Sequence, residues 1–174
     1  PIERKLAAYH EAGHAIATRA VSSTAKVDRV SIIPVGQAGG YTSFRPNEDK
    51  YFYTKGQLKE EIMTLLGGRA AEELALGEIS TGASNDLSRA NQIARSMITR
   101  YGMSEKLENI VFDQQEEVFI GRDYGHVKNY SEELASMIDK EIQAIMTEAY
   151  KKVKEIINEK MEILNVLAEK LLEK

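Results

Sequence analysis

The sequence predicts a mainly helical domain with a small β element and long carboxy-terminal helices. Apolar residues recur every three or four positions through most of the 174 residues, the period of a helix with one buried face. Strand-like patterns appear only briefly, near residues 27–44 and 110–112. Ser131 and the glycines at 77 and 102 mark the points where helical periodicity starts or stops.

The first helix is expected over Glu3–Ser22. Val27–Ile33 alternates as a strand does, and Pro34 ends it. Gly36-Gln37-Ala38-Gly39-Gly40 forms a turn, and Tyr41–Phe44 returns as a second strand. Thr54–Leu76 is a helix carried by Leu58, Ile62, Leu65 and Leu66. Within it, Gly67 and Gly68 weaken the helix by about 1 kcal/mol each but allow another helix to approach closely. The pattern resumes through Ala70, Ala71 and Leu74 and stops at Gly77. Ser80–Asn85 reads as a loop, followed by a helix over about Asp86–Tyr101 that Gly102 closes. Residues 103–129 are mixed, with a short strand at Ile110–Phe112. From Ser131, capped and followed by the acidic first-turn residues Glu132 and Glu133, the chain is helical to its end. A break is expected near Asn158 or Asn165.

Length allows a sizeable core, and residues 1–174 read as one domain. With no cysteine, neither disulfides nor thiolate-bound metal can hold the fold. A net charge of −4 argues against a nucleic-acid partner, which needs a basic surface. No apolar run is long enough to span a bilayer, the start does not resemble a signal peptide, and no phosphate-binding G-x-x-x-x-G-K-[ST] loop is present. The reading is of a soluble piece. It begins at Pro1, as an excised fragment would, or a chain whose initiator Met had been removed.

Two of the three histidines fall in His10-Glu11-Ala12-Gly13-His14. On a helix this spacing sets two imidazoles on one face, four residues apart. A zinc ion fits between two such nitrogens, and zinc lowers the pKa of a bound water to about 7. Glu11 is then in reach as general base, the pattern of a metallopeptidase. The surrounding Ala12, Gly13, Ala15 and Ala17 suit a helix packed tightly against neighbours better than a solvated stripe.

A catalytic zinc usually takes three protein ligands. His126, beside Gly125, reads as a surface residue. Glu72 and Glu73 lie on a helix, where adjacent acids usually face solvent. Asp86 stands where a small-residue loop becomes a helix, a common place for a capping aspartate. From spacing alone the choice stays open between Asp86 and the Glu72/Glu73 pair.

Three blocks resemble the FtsH family of membrane-anchored, ATP-dependent zinc metalloproteases: His10–His14, Gly67-Gly68-Arg69-Ala70-Ala71-Glu72-Glu73, and Ser80–Leu87. Tyr130–Glu133 and Ile138-Asp139 are also similar to a later segment of that family, so the likeness covers most of the chain. The resemblance implies that Asp86 is the third zinc ligand beside His10 and His14, with Glu11 as general base; it leaves the role of Glu72 and Glu73 open. It also implies transmembrane segments and an AAA-type ATPase module, the source of ATP dependence, ahead of this protease domain. The full protein would be a homo-hexamer at the cell inner membrane, its protease domain on the cytoplasmic side, degrading unfolded and membrane proteins. Two rivals are carried alongside: a stand-alone zinc peptidase with a glutamate third ligand, and a non-catalytic helical assembly module.

Overall fold

A computed structural model describes residues 2–22, 25–31, 41–46, 52–112 and 131–173. The architecture is mainly α. Helix α1 (Ile2–Val21) leads into an antiparallel ribbon of β1 (Ala25–Ser31) and β2 (Tyr41–Pro46). Helices α2 (Lys55–Leu76), α3 (Ser84–Thr99), α4 (Glu132–Glu159) and α5 (Met161–Leu172) follow. The ribbon pairs Ala25 with Pro46 and Ser31 with Tyr41, with a bulge between Val27 and Arg29. The turn at Gly36–Gly40 and the expected end of the first strand at Ile32 and Ile33 lie outside the described residues.

The helix ends follow their sequence chemistry. Thr54 caps α2 in a reciprocal box with Gln57: each side chain accepts from the other residue's backbone N–H, at 3.0 and 2.9 Å. Gly77 ends the helix in the left-handed conformation, at φ 67°. Ser131 caps α4 by accepting from the Leu134 N–H. The expected break in the last helical stretch falls at Lys160, between Asn158 and Asn165.

Two expectations are corrected. The third helix begins at Ser84, because Ser80 caps a 3-10 turn at Thr81–Ala83 that runs straight into it. It ends at Thr99, short of Tyr101. Ile110–Phe112 is no strand: the Phe112 N–H donates to the Thr99 carbonyl, folding the segment back on the end of α3. Its branched and aromatic residues have strand propensity, but no partner strand among the described residues.

The core draws on all five helices. Ile62, Leu66, Met97, Ile138, Val153, Ile157 and Leu164 are essentially inaccessible, and burying each such side chain stabilises the fold by about 1.5–3 kcal/mol. Along α1, every residue from Ala8 to Thr18 is buried. Small residues make this possible. A Cβ on Gly67 would lie 2.7 Å from the Ala17 Cβ and 2.8 Å from the Gly13 carbonyl oxygen, and one on Gly13 would overlap Gly67 and Ala71. The two helices therefore touch backbone to backbone, with His10 and His14 buried in the seam. No helix among the described residues is long and apolar enough to cross a membrane.

Candidate metal centre

One face of α2 carries Thr64, Gly68 and Glu72 at four-residue spacing, and each meets a histidine of α1. His14 sets its Nδ1 2.8 Å from the Thr64 carbonyl oxygen. His10 sets its Nδ1 2.7 Å from Glu72 Oε2. Gly68 leaves room for the His10 ring: a Cβ there would lie 2.6 Å from Cε1 and Nδ1.

These contacts fix the proton positions. A carbonyl oxygen only accepts, so His14 donates from Nδ1. Burial opposes ionisation of Glu72, but hydrogen bonds from His10 and Ser80 lower its pKa below the ordinary value. As a carboxylate it too only accepts, so His10 donates from Nδ1. In the neutral rings both Nε2 atoms then carry lone pairs, and they point at one another across 3.0 Å.

Asp86 supplies the third corner. Its Oδ2 lies 3.0 Å from His10 Nε2 and 2.9 Å from His14 Nε2. The 3-10 turn explains its reach. Ser80 caps the 3-10 turn, α3 itself starts after Ala83 with no side-chain cap, and Asp86 in its first turn extends toward α1 instead. Glu72 also anchors this approach, because its Oε1 accepts from the Ser80 N–H at 3.2 Å. One buried carboxylate thus ties α2 to α1 and to the loop that delivers Asp86.

Three acceptor atoms this close repel unless a cation lies among them. Burial works against a charge on His10, yet hydrogen bonds to Asp86 and Glu72 and the nearby Glu11 outweigh it, raising His10 to about 9. Burial also opposes ionisation of Asp86, but hydrogen bonds from His10 and His14 hold it well below the usual carboxylate range. With both rings held through Nδ1, the same atoms form a group able to hold a metal ion.

Of the residues singled out by sequence, the structure brings His10, His14 and Asp86 together, with Glu11 buried on the same helix turn. Glu72 and Glu73 part company. Glu72 is fully buried behind His10. Glu73 turns toward α4, where it accepts from the Tyr150 hydroxyl and pairs with Lys154 at 3.3 Å. His126 lies outside the described residues. Sequence reasoning missed the roles of the Thr64 carbonyl and Gly68; the spacing of 64, 68 and 72 was the signal that links them.

The chain is similar to known proteins along its whole length. The profile of Peptidase family M41 matches residues 1–174. The protein named ATP-dependent zinc metalloprotease FtsH of Ruminiclostridium cellulolyticum is 59% identical over 173 residues, covering 99% of this chain and 28% of that protein. Its namesake in Caldicellulosiruptor bescii is 53% identical over 173 residues, with the same 99% and 28% coverage. The Bacillus subtilis protein of that name is 48% identical over 172 residues, covering 98% of this chain and 27% of its own length. The chain thus spans little more than a quarter of the curated relatives it matches. Its three sequence blocks converge on one buried centre, and its full length matches the family profile: the chain belongs to peptidase family M41.

Proposed function

We propose that this chain is the zinc metalloendopeptidase domain of an ATP-dependent, membrane-anchored protease acting on unfolded and membrane proteins. The observation that carries the reading is the triangle of His10 Nε2, His14 Nε2 and Asp86 Oδ2, with sides of 2.9–3.0 Å. Donors around a tetrahedral zinc with bonds of about 2.0 Å stand about 3.3 Å apart, so this set needs only a few tenths of an ångström of spreading. Two imidazoles and one carboxylate leave a fourth position for water or substrate.

When bound, zinc supplies a Lewis acid for the scissile carbonyl and lowers the pKa of the attacking water. The chain's own groups do the rest. Glu11 takes a proton from that water on its carboxylate and later passes it to the leaving amine. Glu72 and the Thr64 carbonyl hold the two rings in the tautomer that presents Nε2. The buried seam of α1 and α2 limits water around them. Among the described residues β1 pairs with β2 alone. An extended peptide adding to the β1 edge by backbone hydrogen bonds would be read with little side-chain preference.

The names of the relatives support ATP dependence and zinc. Homo-hexameric assembly and an inner-membrane anchor, with this domain on the cytoplasmic side, rest on the family resemblance. Metal content per chain tests the reading, measured for the unaltered protein and Asp86→Ala side by side. About one zinc, falling sharply in the variant, supports it. Zinc retained without Asp86 would revive a glutamate ligand, which the orientations of Glu72 and Glu73 disfavour. Casein hydrolysis lost to a chelator and restored by zinc would count against an assembly module.

A further inference from the structure

The helices close a ring in which the His10–Glu72 hydrogen bond is one link. That bond joins α1 to α2. Tyr150 of α4 donates its hydroxyl to Glu73 Oε2, and Lys154 stands 3.3 Å from the same oxygen and 5.3 Å from the centre of the Tyr150 ring. Helix α5 follows α4 after the break at Lys160, and its Asn165 accepts from the Tyr9 hydroxyl of α1 through Oδ1 at 2.7 Å.

The two grips fall at telling positions. Tyr9 immediately precedes His10, and Glu73 immediately follows Glu72. Close packing limits how far a helix can turn, but burial is itself non-directional and does not set the final angle. Hydrogen bonds are directional and do fix it. Within the seam between α1 and α2, His10 and His14 supply two such bonds, to Glu72 and to the Thr64 carbonyl; Tyr150 and Asn165 add two from outside it.

We propose that Tyr150 and Asn165 are positioning residues for the metal centre: by gripping the neighbours of Glu72 and His10, they set the rotation at which α1 and α2 present that pair. This rests on the reading that His10, His14 and Asp86 hold the metal. Neither residue touches a ligand, so both act through the helices they grip.

The test compares Tyr150→Phe and Asn165→Ala with Ser131→Ala, which weakens the cap of α4 but touches neither grip. The 174-residue chain is loaded with cobalt, whose visible spectrum reports ligand geometry, and release to a chelator is timed. Direct supports of ligands are worth about 10–100-fold in metal affinity, so these indirect ones should speed release by up to about tenfold. The bands should shift in both grip variants and stay in place in Ser131→Ala. Release and spectra matching Ser131→Ala in both would overturn the proposal and leave the metal site standing. If Tyr150→Phe fails to fold, Asn165→Ala alone decides. An unaltered chain that takes up no cobalt or zinc would overturn the metal-site reading and this inference with it.

Discussion

Replacing Gly68 by alanine should harm the site while favouring the helix, and the two effects have opposite signs. In a helix interior, alanine is better than glycine by about 1 kcal/mol. At position 68, however, the new Cβ would lie 2.6 Å from His10 Cε1 and Nδ1, against the 3.4 Å at which ordinary contact begins. The ring must retreat by about 0.8 Å, well beyond the roughly ±0.2 Å that metal–ligand distances tolerate. It cannot easily turn aside, because Glu72 holds Nδ1 and is itself fully buried. A displacement near 1 Å costs about 10²-fold in rate. Hydrolysis of a quenched fluorescent peptide should therefore fall about 100-fold, with weakened zinc retention. Gly56→Ala provides the comparison. A Cβ there meets nothing nearer than Thr54 Oγ1 at 3.9 Å, so it should keep activity and gain up to about 1 kcal/mol in a thermal melt. Full activity and zinc in Gly68→Ala, with a higher melting temperature, would refute the idea that this glycine exists to seat His10.

Glu11→Gln should keep its metal by elemental analysis yet lose about 10²–10⁴-fold in peptide turnover; substantial residual turnover would sink the base assignment. Glu72→Gln offers one acceptor oxygen where two now accept, from His10 and from Ser80. Metal affinity in a chelator competition should drop about 10–100-fold, less than in Asp86→Ala. Glu73 gives an acid-sensitive contact. Its carboxylate is held below its ordinary 4.5 first by the Tyr150 hydroxyl and then by Lys154. A depressed carboxylate stabilises the fold above its unfolded pKa, and that stability is lost as pH falls through the folded value. Melting temperature should thus decline below about pH 4.5, and the part due to this contact should be missing in Tyr150→Phe.

Much of this arrangement was legible because it obeys local rules. His10 and His14 share a face by spacing alone, and Thr54, Gly77 and Ser131 bound helices through chemistry that acts within a few residues. The glycine pair at 67 and 68 announced a close helix approach before its partner was known. Position 72 against 73 was different. Two adjacent glutamates look alike in sequence, and about 100° of helical rotation sends one behind His10 and the other to Tyr150. Only the packing of α1 and α4 on α2 distinguishes them. Residues 110–112 misled because strand propensity expresses itself only beside another strand. Asp86 had the pattern of a cap, but it falls inside the first turn of α3, whose start carries no side-chain cap, and reaches across to the two histidines instead.

The two histidines differ in how heritable their support is. His10 leans on a side chain, so a single codon change at Glu72 removes its brace. His14 leans on the main-chain carbonyl of Thr64, which every amino acid at that position would supply. Random mutagenesis of α2 should accordingly return many inactive clones at residue 72 and few at residue 64. One half of the centre is exposed to genetic drift, and the other is written into the polymer itself.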